Sequence, residues 1–211
     1  TALAVAEATG ASPADTAVAI TAGYEVAARI GGAAGRSFHG KGFHATGIVG
    51  PFVAASVAGC LYGLDGAQLA NAFGLAGSMS GGLLEFLADG TWSKWLHTGW
   101  SAHGGIVTAQ MAGDGFRGPE SVLDGRNGLY AAFIGEGMAD LDAVGNGLGT
   151  IWRGSEAHFK IYPCAHVIQP YIDAAFDLAA EHALAYREIE EVRCHIAPWA
   201  TPIACEPRAP K

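Results

Sequence analysis

The sequence predicts a mainly α-helical fold, with a large all-helical domain over residues 1–157 and the start of a smaller α+β domain over residues 158–211. Three observations predict it. Apolar residues recur at helical spacing as far as about residue 157. Half of the 211 residues are apolar and only 15% are charged, which is enough apolar material for a core and excludes intrinsic disorder. Beyond residue 157, two strand-like runs flank one amphipathic helix.

The first helices are marked by their start and stop signals. Thr1 already lies in helix-like sequence. Ser12 is a good N-cap, and Pro13 suits the first position of the helix that follows. Apolar residues then recur at helical spacing until the pair Gly31-Gly32, which is expected to end this helix. Residues 31–47 are expected to form a loop rich in Gly and His.

Residues 48–64 carry no charge and approach the length of a membrane span. Pro51 and three glycines interrupt this segment, and no basic residues flank it. A core helix that other helices bury on all sides accounts for it better than a membrane span. We therefore expect no membrane partner.

The next helices follow from capping residues and from small residues. Asp65 is expected to cap a helix whose apolar face includes Leu69, Ala72 and Phe73. The glycines and alanines of residues 92–111 predict a helix that packs closely on another helix. The remaining expected elements are short apolar turns at 80–87, helical pieces at 119–123 and 127–133, a Gly-rich connection at 135–154, strands at 159–162 and 190–196, and a helix at 167–184.

Charge and cysteine content limit the partners. The formal net charge is −8 and no run of Lys or Arg occurs, so nucleic acid is a poor partner. The four cysteines include no C-x-x-C pair, which argues against a disulfide scaffold or a zinc knuckle. Reduced thiols are typical of a cytoplasmic protein, and we expect that location.

The first candidate site is a polar cluster at residues 36–44. It contains Arg36, His39, Lys41 and His44 immediately before the uncharged helix. Because a helix N-terminus attracts anions, His44 with Arg36 or Lys41 would form a corner that binds a carboxylate. The alternative is a solvated loop in which the histidines have no function.

The second candidate site lies at residues 92–103. Lys94 and His97 are three residues apart and share one helix face, where they would hold a carboxylate beside a proton carrier. His103 lies six residues further along and points elsewhere. The alternative is an amphipathic helix end with Lys94 at the surface and the tryptophan rings in the core. Lys160 is a third candidate, with a strand-edge lysine as its alternative.

Several catalytic motifs are absent from the sequence. It contains no H-E-x-x-H motif, no P-loop, no G-x-S-x-G elbow and no Rossmann glycine pattern after a strand. The spacing of its histidines suits no zinc motif. Metal, nucleotide and serine-hydrolase interpretations are therefore set aside, and the remaining interpretation is acid–base chemistry on an anionic small molecule.

Several segments, in order along nearly the whole chain, together resemble the MmgE/PrpD family. They are Gly42-Phe43-His44-Ala45-Thr46-Gly47, Gly63-Leu64-Asp65, Leu75-Ala76-Gly77-Ser78, Gly81-Gly82-Leu83-Leu84-Glu85-Phe86, Lys94-Trp95-Leu96-His97-Thr98-Gly99-Trp100, Ala102-His103-Gly104, Phe116-Arg117-Gly118-Pro119 and Lys160-Ile161-Tyr162-Pro163-Cys164. The family includes 2-methylcitrate dehydratase, cis-aconitate decarboxylase and iminodisuccinate epimerase.

The resemblance implies a helical domain joined to a smaller α+β lid, usually in a homodimer that uses no cofactor. Its substrates are di- or tricarboxylates. It implies that His44, Lys94 and His97 are catalytic, and that Lys160 and His103 contact substrate. Arg36 is also expected to contact substrate, because of its place in the polar cluster. The expected activity is a carbon–oxygen lyase resembling 2-methylcitrate dehydratase. An epimerase of an iminodisuccinate-like acid or a cis-aconitate-type decarboxylase is the alternative.

Family members carry roughly a hundred residues before this point, in keeping with a domain of usual size. We therefore expect the chain to be a fragment of a longer protein, and a truncated, non-catalytic fragment is the remaining alternative. Made alone, such a fragment would expose apolar surface and is expected to aggregate.

Overall fold

The structure is a computed structural model that describes residues 1–205. It divides into two compact units, Thr1–Ala157 and His158–Lys211. The predicted mainly α-helical class is confirmed. The helices of the first unit are α1 (Ala2–Thr9), α2 (Pro13–Ala34), α3 (Ser37–Gly40), α4 (Ala45–Tyr62), α5 (Gly66–Met79), α6 (Phe86–Asp89), α7 (Ser93–Gly113), α8 (Leu129–Phe133) and α9 (Asp142–Gly145), with a 3-10 turn at Arg153–Glu156.

The helix starts follow the predicted caps. The Ser12 side chain accepts a hydrogen bond from the Asp15 backbone N–H at 3.1 Å, at the start of α2. Asp65 and Gln68 form a reciprocal capping box at the start of α5. The predicted end of α2 at Gly31-Gly32 is wrong, because the helix continues to Ala34. Ala33 and Ala34 are buried, and the tertiary packing of that last turn outweighs the low helix propensity of glycine.

Helix α4 forms the centre of the first unit, as predicted for the uncharged segment. Ile48, Phe52 and Ala55 are fully buried, and Phe38 and Tyr130 belong to the same apolar core. Among the described residues, α4 is the one helix long and apolar enough to cross a membrane, but more than half of it is buried inside the protein. Packing by α2, α5 and α7 explains its composition.

Helices α4 and α7 pack closely and run in parallel. Near their N-terminal ends the Ser101 hydroxyl contacts the Thr46 carbonyl at 3.4 Å. Further along both helices, Gly105 lies so close to Ala54 that a Cβ atom at residue 105 would collide with it. The contacts therefore advance along both helices in the same direction, and the N-terminal ends of α4 and α7 lie at the same end of the unit.

A buried ion pair on α2 fastens the predicted Gly-rich connection to the core. Arg29 pairs with Glu25 and donates hydrogen bonds to the carbonyls of Val144, Asn146 and Ile151 at 2.8–3.0 Å. Burial raises the pKa of Glu25, but hydrogen bonds from the Gly154 N–H and from Arg29 outweigh it and hold that pKa below its usual value. The connection is therefore anchored at several points.

The second unit contains α10 (Gln169–Glu181) and α11 (Thr201–Ala204), with 3-10 turns at His166–Ile168, Tyr186–Glu188 and Pro198–Ala200. The predicted helix at 167–184 is confirmed in its central part. The strands predicted at 159–162 and 190–196 are not formed in the structure. A strand is stabilised by a ladder to a neighbour, and residues 158–205 contain no such ladder. The helix predicted at 119–123 is also wrong, because those residues form turns.

Candidate active site

A proline inside α4 shapes the backbone at its N-terminal end. Pro51 has no N–H, so the Gly47 carbonyl lacks its usual partner four residues later. That carbonyl instead accepts the N–H of Gly81 at 3.2 Å. The Ser80 hydroxyl donates to the neighbouring Ile48 carbonyl at 2.8 Å. The chain that follows α5 is therefore held along the start of α4.

Residues 80–84, here called the strap, continue this contact past His44. The His44 backbone N–H donates to the Gly82 carbonyl at 2.9 Å, and the Leu84 N–H donates to the Gly42 carbonyl at 2.8 Å. Leu83 forms an isolated antiparallel bridge with Phe43. His44 is thereby fixed at the position that precedes the first turn of α4.

The strap brings two imidazole rings together. Nδ1 of His44 lies 3.0 Å from Nδ1 of His97, a residue of the second turn of α7. His44 is only 8% exposed, whereas His97 is half-buried. The ring of Phe86 packs edge-on against both imidazoles, with centroid distances of 5.4 and 5.9 Å. One Nδ1 carries the shared hydrogen, and the other accepts it.

Gly82 provides the space for this contact. Its φ of 142° lies in the region that favours glycine, and a Cβ atom at this position would lie 3.1 Å from Cγ and Nδ1 of His97. Gly82 therefore serves both histidines, since its carbonyl holds the His44 backbone and its missing side chain leaves room for the His97 ring.

Lys94 contacts the same phenylalanine ring, Phe86, that packs against the two histidines. Its Nζ lies 5.9 Å from the centroid of the Phe86 ring, and the side chain is exposed at the start of α7. Lys94 and His97 share a helix face, as their spacing predicts, because both contact Phe86. The structure thus brings His44, His97 and Lys94 to one place, although they belong to two separate sequence clusters.

The environment keeps the histidines neutral. Burial is the largest cause that lowers the pKa of His44, and the nearby His97, Lys94 and His39 lower it further, to about 4. Burial also lowers the pKa of His97. The N-terminal ends of α4 and α7 both carry partial positive charge at this corner, which acts in the same direction. His44 is therefore uncharged at neutral pH.

The other three predicted site residues are all exposed. Arg36 is exposed at the residue before α3. His103 is exposed on α7, and its ring packs against Trp100 with a centroid distance of 5.3 Å. Lys160 is exposed in the second unit. Their roles in binding substrate stay predictions.

Large apolar side chains next to Lys94 and His97 in the sequence, and Leu83 of the strap, are exposed. Trp92 and Trp95 stack with a centroid distance of 5.6 Å, and both are more than two-thirds exposed. Leu96, Trp100 and Leu83 are at least half exposed. The alternative that placed the tryptophan rings in the core is wrong, because α7 contacts α4 and α5 through its small residues instead.

Sequence reasoning assigned no role to Gly82 and Phe86, although both belong to the segment that carries the family resemblance. Within residues 1–205, no three His, Cys, Asp or Glu side chains lie close enough together to hold a metal ion. The available chemistry is therefore that of two neutral imidazoles, one ammonium group and two helix N-termini.

The fold and the site define a mainly α-helical protein in which two imidazole rings and one ammonium group lie close together beside two helix N-termini. The chain belongs to the MmgE/PrpD family, because residues 1–142 match its N-terminal domain. It is 27% identical over 166 residues to the cis-aconitate decarboxylase-like protein oryM of Aspergillus oryzae, which covers 76% of this chain and 34% of that protein. It is 25% identical over 174 residues to a cis-aconitate decarboxylase of Aspergillus terreus, which covers 80% of this chain and 35% of the relative. The chain therefore spans about a third of the length of these relatives.

Proposed function

We propose that the protein is a lyase that acts on a di- or tricarboxylate by proton transfer at a carbon next to a carboxylate, without a cofactor. The contact of 3.0 Å between the His44 and His97 rings, beside Lys94, is the observation that carries this proposal. Family membership supports it by analogy.

The chemistry follows from where charge develops. Cleaving a bond at a carbon next to a carboxylate leaves an electron pair that spreads onto the carboxylate oxygens. Lys94 and the N-terminal ends of α4 and α7 would stabilise this charge. A neutral imidazole can accept a proton, and its protonated form can return one, so His44 and His97 are suited to general acid–base catalysis.

Decarboxylation of a cis-aconitate-like tricarboxylate is the first candidate reaction, because the relatives carry that name. The bond to one carboxyl carbon breaks, carbon dioxide leaves, and the electron pair that remains takes a proton from the imidazolium form of a histidine, which regains that proton from water. Dehydration of a 2-methylcitrate-like hydroxy acid is the second candidate. The neutral state of His44 favours it, because elimination of water begins when a base removes a proton.

Product identity separates the candidates. The full-length protein is incubated with cis-aconitate and, separately, with 2-methylcitrate, and the products are followed by proton NMR together with carbon dioxide release. Decarboxylation yields carbon dioxide from the first acid, whereas dehydration yields an unsaturated acid from the second without carbon dioxide. The proposal requires that His44→Ala loses ~10²–10⁴ of the rate. His182→Ala, at an exposed position after α10, serves as the control. Failure of both acids to react would contradict the proposal.

A further inference from the structure

Gly82 has a place in the site that goes beyond the assigned acid–base residues. It is the one residue of the strap that contacts both histidines: its carbonyl accepts the His44 N–H, and its Cα faces the His97 ring. A Cβ atom here would lie 3.1–3.2 Å from three atoms of that ring, and the backbone φ of 142° is one that L residues rarely adopt.

We infer that Gly82 is a positioning residue that holds His44 and His97 as one hydrogen-bonded acid–base pair with opposite tautomers. A neutral imidazole carries a single N–H. If one ring donates from Nδ1, its own Nε2 is bare. The other ring accepts at Nδ1 and therefore carries its hydrogen on Nε2. The neutral pair always offers one Nε2 base and one Nε2–H acid.

This arrangement permits a balanced proton relay. The bare Nε2 takes a proton from the substrate carbon, and that ring becomes an imidazolium. Its Nδ1–H passes to Nδ1 of the partner ring, and the partner releases its own Nε2–H to the departing hydroxyl or to a carbanion. One proton enters and one leaves, and the two rings exchange tautomers. The catalytic use of the relay rests on the proposed function, whereas the pairing of the rings does not.

The tautomers can be measured without any substrate. In protein labelled with ¹⁵N at histidine, long-range proton–nitrogen spectra at pH 7 report which nitrogen of each ring carries hydrogen. We expect one ring of the pair to carry it on Nδ1 and the other on Nε2. The same tautomer in both rings, or free exchange between tautomers in each, would overturn the inference.

Two neighbouring glycines provide a matched comparison. Gly82→Ala should push the His97 ring away and release the fixed tautomers. It should also raise the pKa of His44, since of the titratable groups that face this ring, His97, Lys94 and His39, the first would be displaced. Gly81→Ala is the control, because a Cβ atom there meets nothing within 4 Å and its φ lies outside the left-handed region. Equal spectra and equal His44 titration in the two variants would contradict a positioning role for Gly82.

Activity gives an independent readout. Because a misplaced catalytic group can lose ~10² in rate, Gly82→Ala should lower kcat about a hundredfold and change KM little, and Gly81→Ala should remain near the parent value. His97→Leu provides a second test if Gly82→Ala does not fold, since it should also free the His44 tautomer. If the spectra behave as expected while no carboxylate reacts, the proposed function fails and the inference stands. If carboxylates react but the tautomers are not fixed, the inference about Gly82 fails and the proposed function stands.

Discussion

Acidification should weaken the folded state through His44. Burial and neighbouring positive groups lower the pKa of this residue from 6.5 to about 4 in the folded protein, whereas the unfolded chain keeps the ordinary value. Between these two values the unfolded state binds more protons than the folded state, so the free energy of unfolding falls as the pH falls through that window. Above pH 6.5 both states are neutral at His44, and the loss disappears.

The magnitude follows from the two pKa values. At pH 5 the unfolded side chain is almost fully protonated and the folded one is mostly neutral, which lowers the free energy of unfolding by about 2 kcal/mol relative to pH 8. Below pH 4 the loss levels off at about 3 kcal/mol. His97 adds to this loss in the same direction, because burial lowers its pKa as well.

Denaturant unfolding at a series of pH values tests this reasoning when the wild type is compared with His44→Gln. Glutamine does not titrate, so the variant should lose about 2 kcal/mol less stability between pH 8 and pH 5. An NMR titration of the His44 ring provides the direct measurement of its pKa. If the free energy of unfolding changes equally with pH in the two proteins, and the His44 pKa is near 6.5, burial does not lower this pKa.

Three further predictions concern Lys94, the buried ion pair and metal chelators. Lys94→Met should raise KM for dianionic substrates and lower kcat in steady-state assays, because the positive charge is needed most in the transition state; Arg126→Met removes the same charge from a turn outside the site, and an equal effect there would contradict the role of Lys94. Arg29→Met should lower the free energy of unfolding by about 3–5 kcal/mol, since Glu25 would remain buried and unpaired. Arg193→Met removes an exposed ion pair and should lower the free energy of unfolding by less than ~1 kcal/mol. Equal losses of stability in Arg29→Met and Arg193→Met would contradict the importance of burial. EDTA should leave turnover unchanged, and activity that is lost and then restored by zinc, magnesium or iron would overturn the proposal of a cofactor-independent lyase.

The sequence predicts those parts of the fold that local chemistry determines. The N-caps at Ser12 and Asp65 and the buried helix at 48–64 are confirmed, because capping and uniform apolarity act over a few residues. The end of α2 was not predictable from Gly31-Gly32, since burial of the following alanines decides it. The strands at 159–162 and 190–196 show the same limit: alternation indicates a strand, but only a neighbouring strand forms one.

The candidate site shows a similar division. The spacing of Lys94 and His97 predicts a shared helix face, and this is confirmed through their common contact with Phe86. The pairing of His44 with His97 joins residues 53 positions apart, so it depends on the parallel packing of α4 and α7. The neutral state of His44 depends on the same packing, and no local pattern indicates it. Pro51 leaves the Gly47 carbonyl without its usual helical partner, but the sequence does not indicate that Gly81 of the strap provides the replacement N–H.

We propose that His44, paired with His97, moves a proton at a carbon next to a carboxylate. Proton NMR in heavy water tests it most directly, with cis-aconitate, 2-methylcitrate and an aspartate-like acid offered to the full-length protein and to His44→Ala. We expect at least one acid to react or to gain solvent deuterium next to a carboxylate, and His44→Ala to reduce this rate by ~10²–10⁴. An undiminished rate in His44→Ala would contradict it.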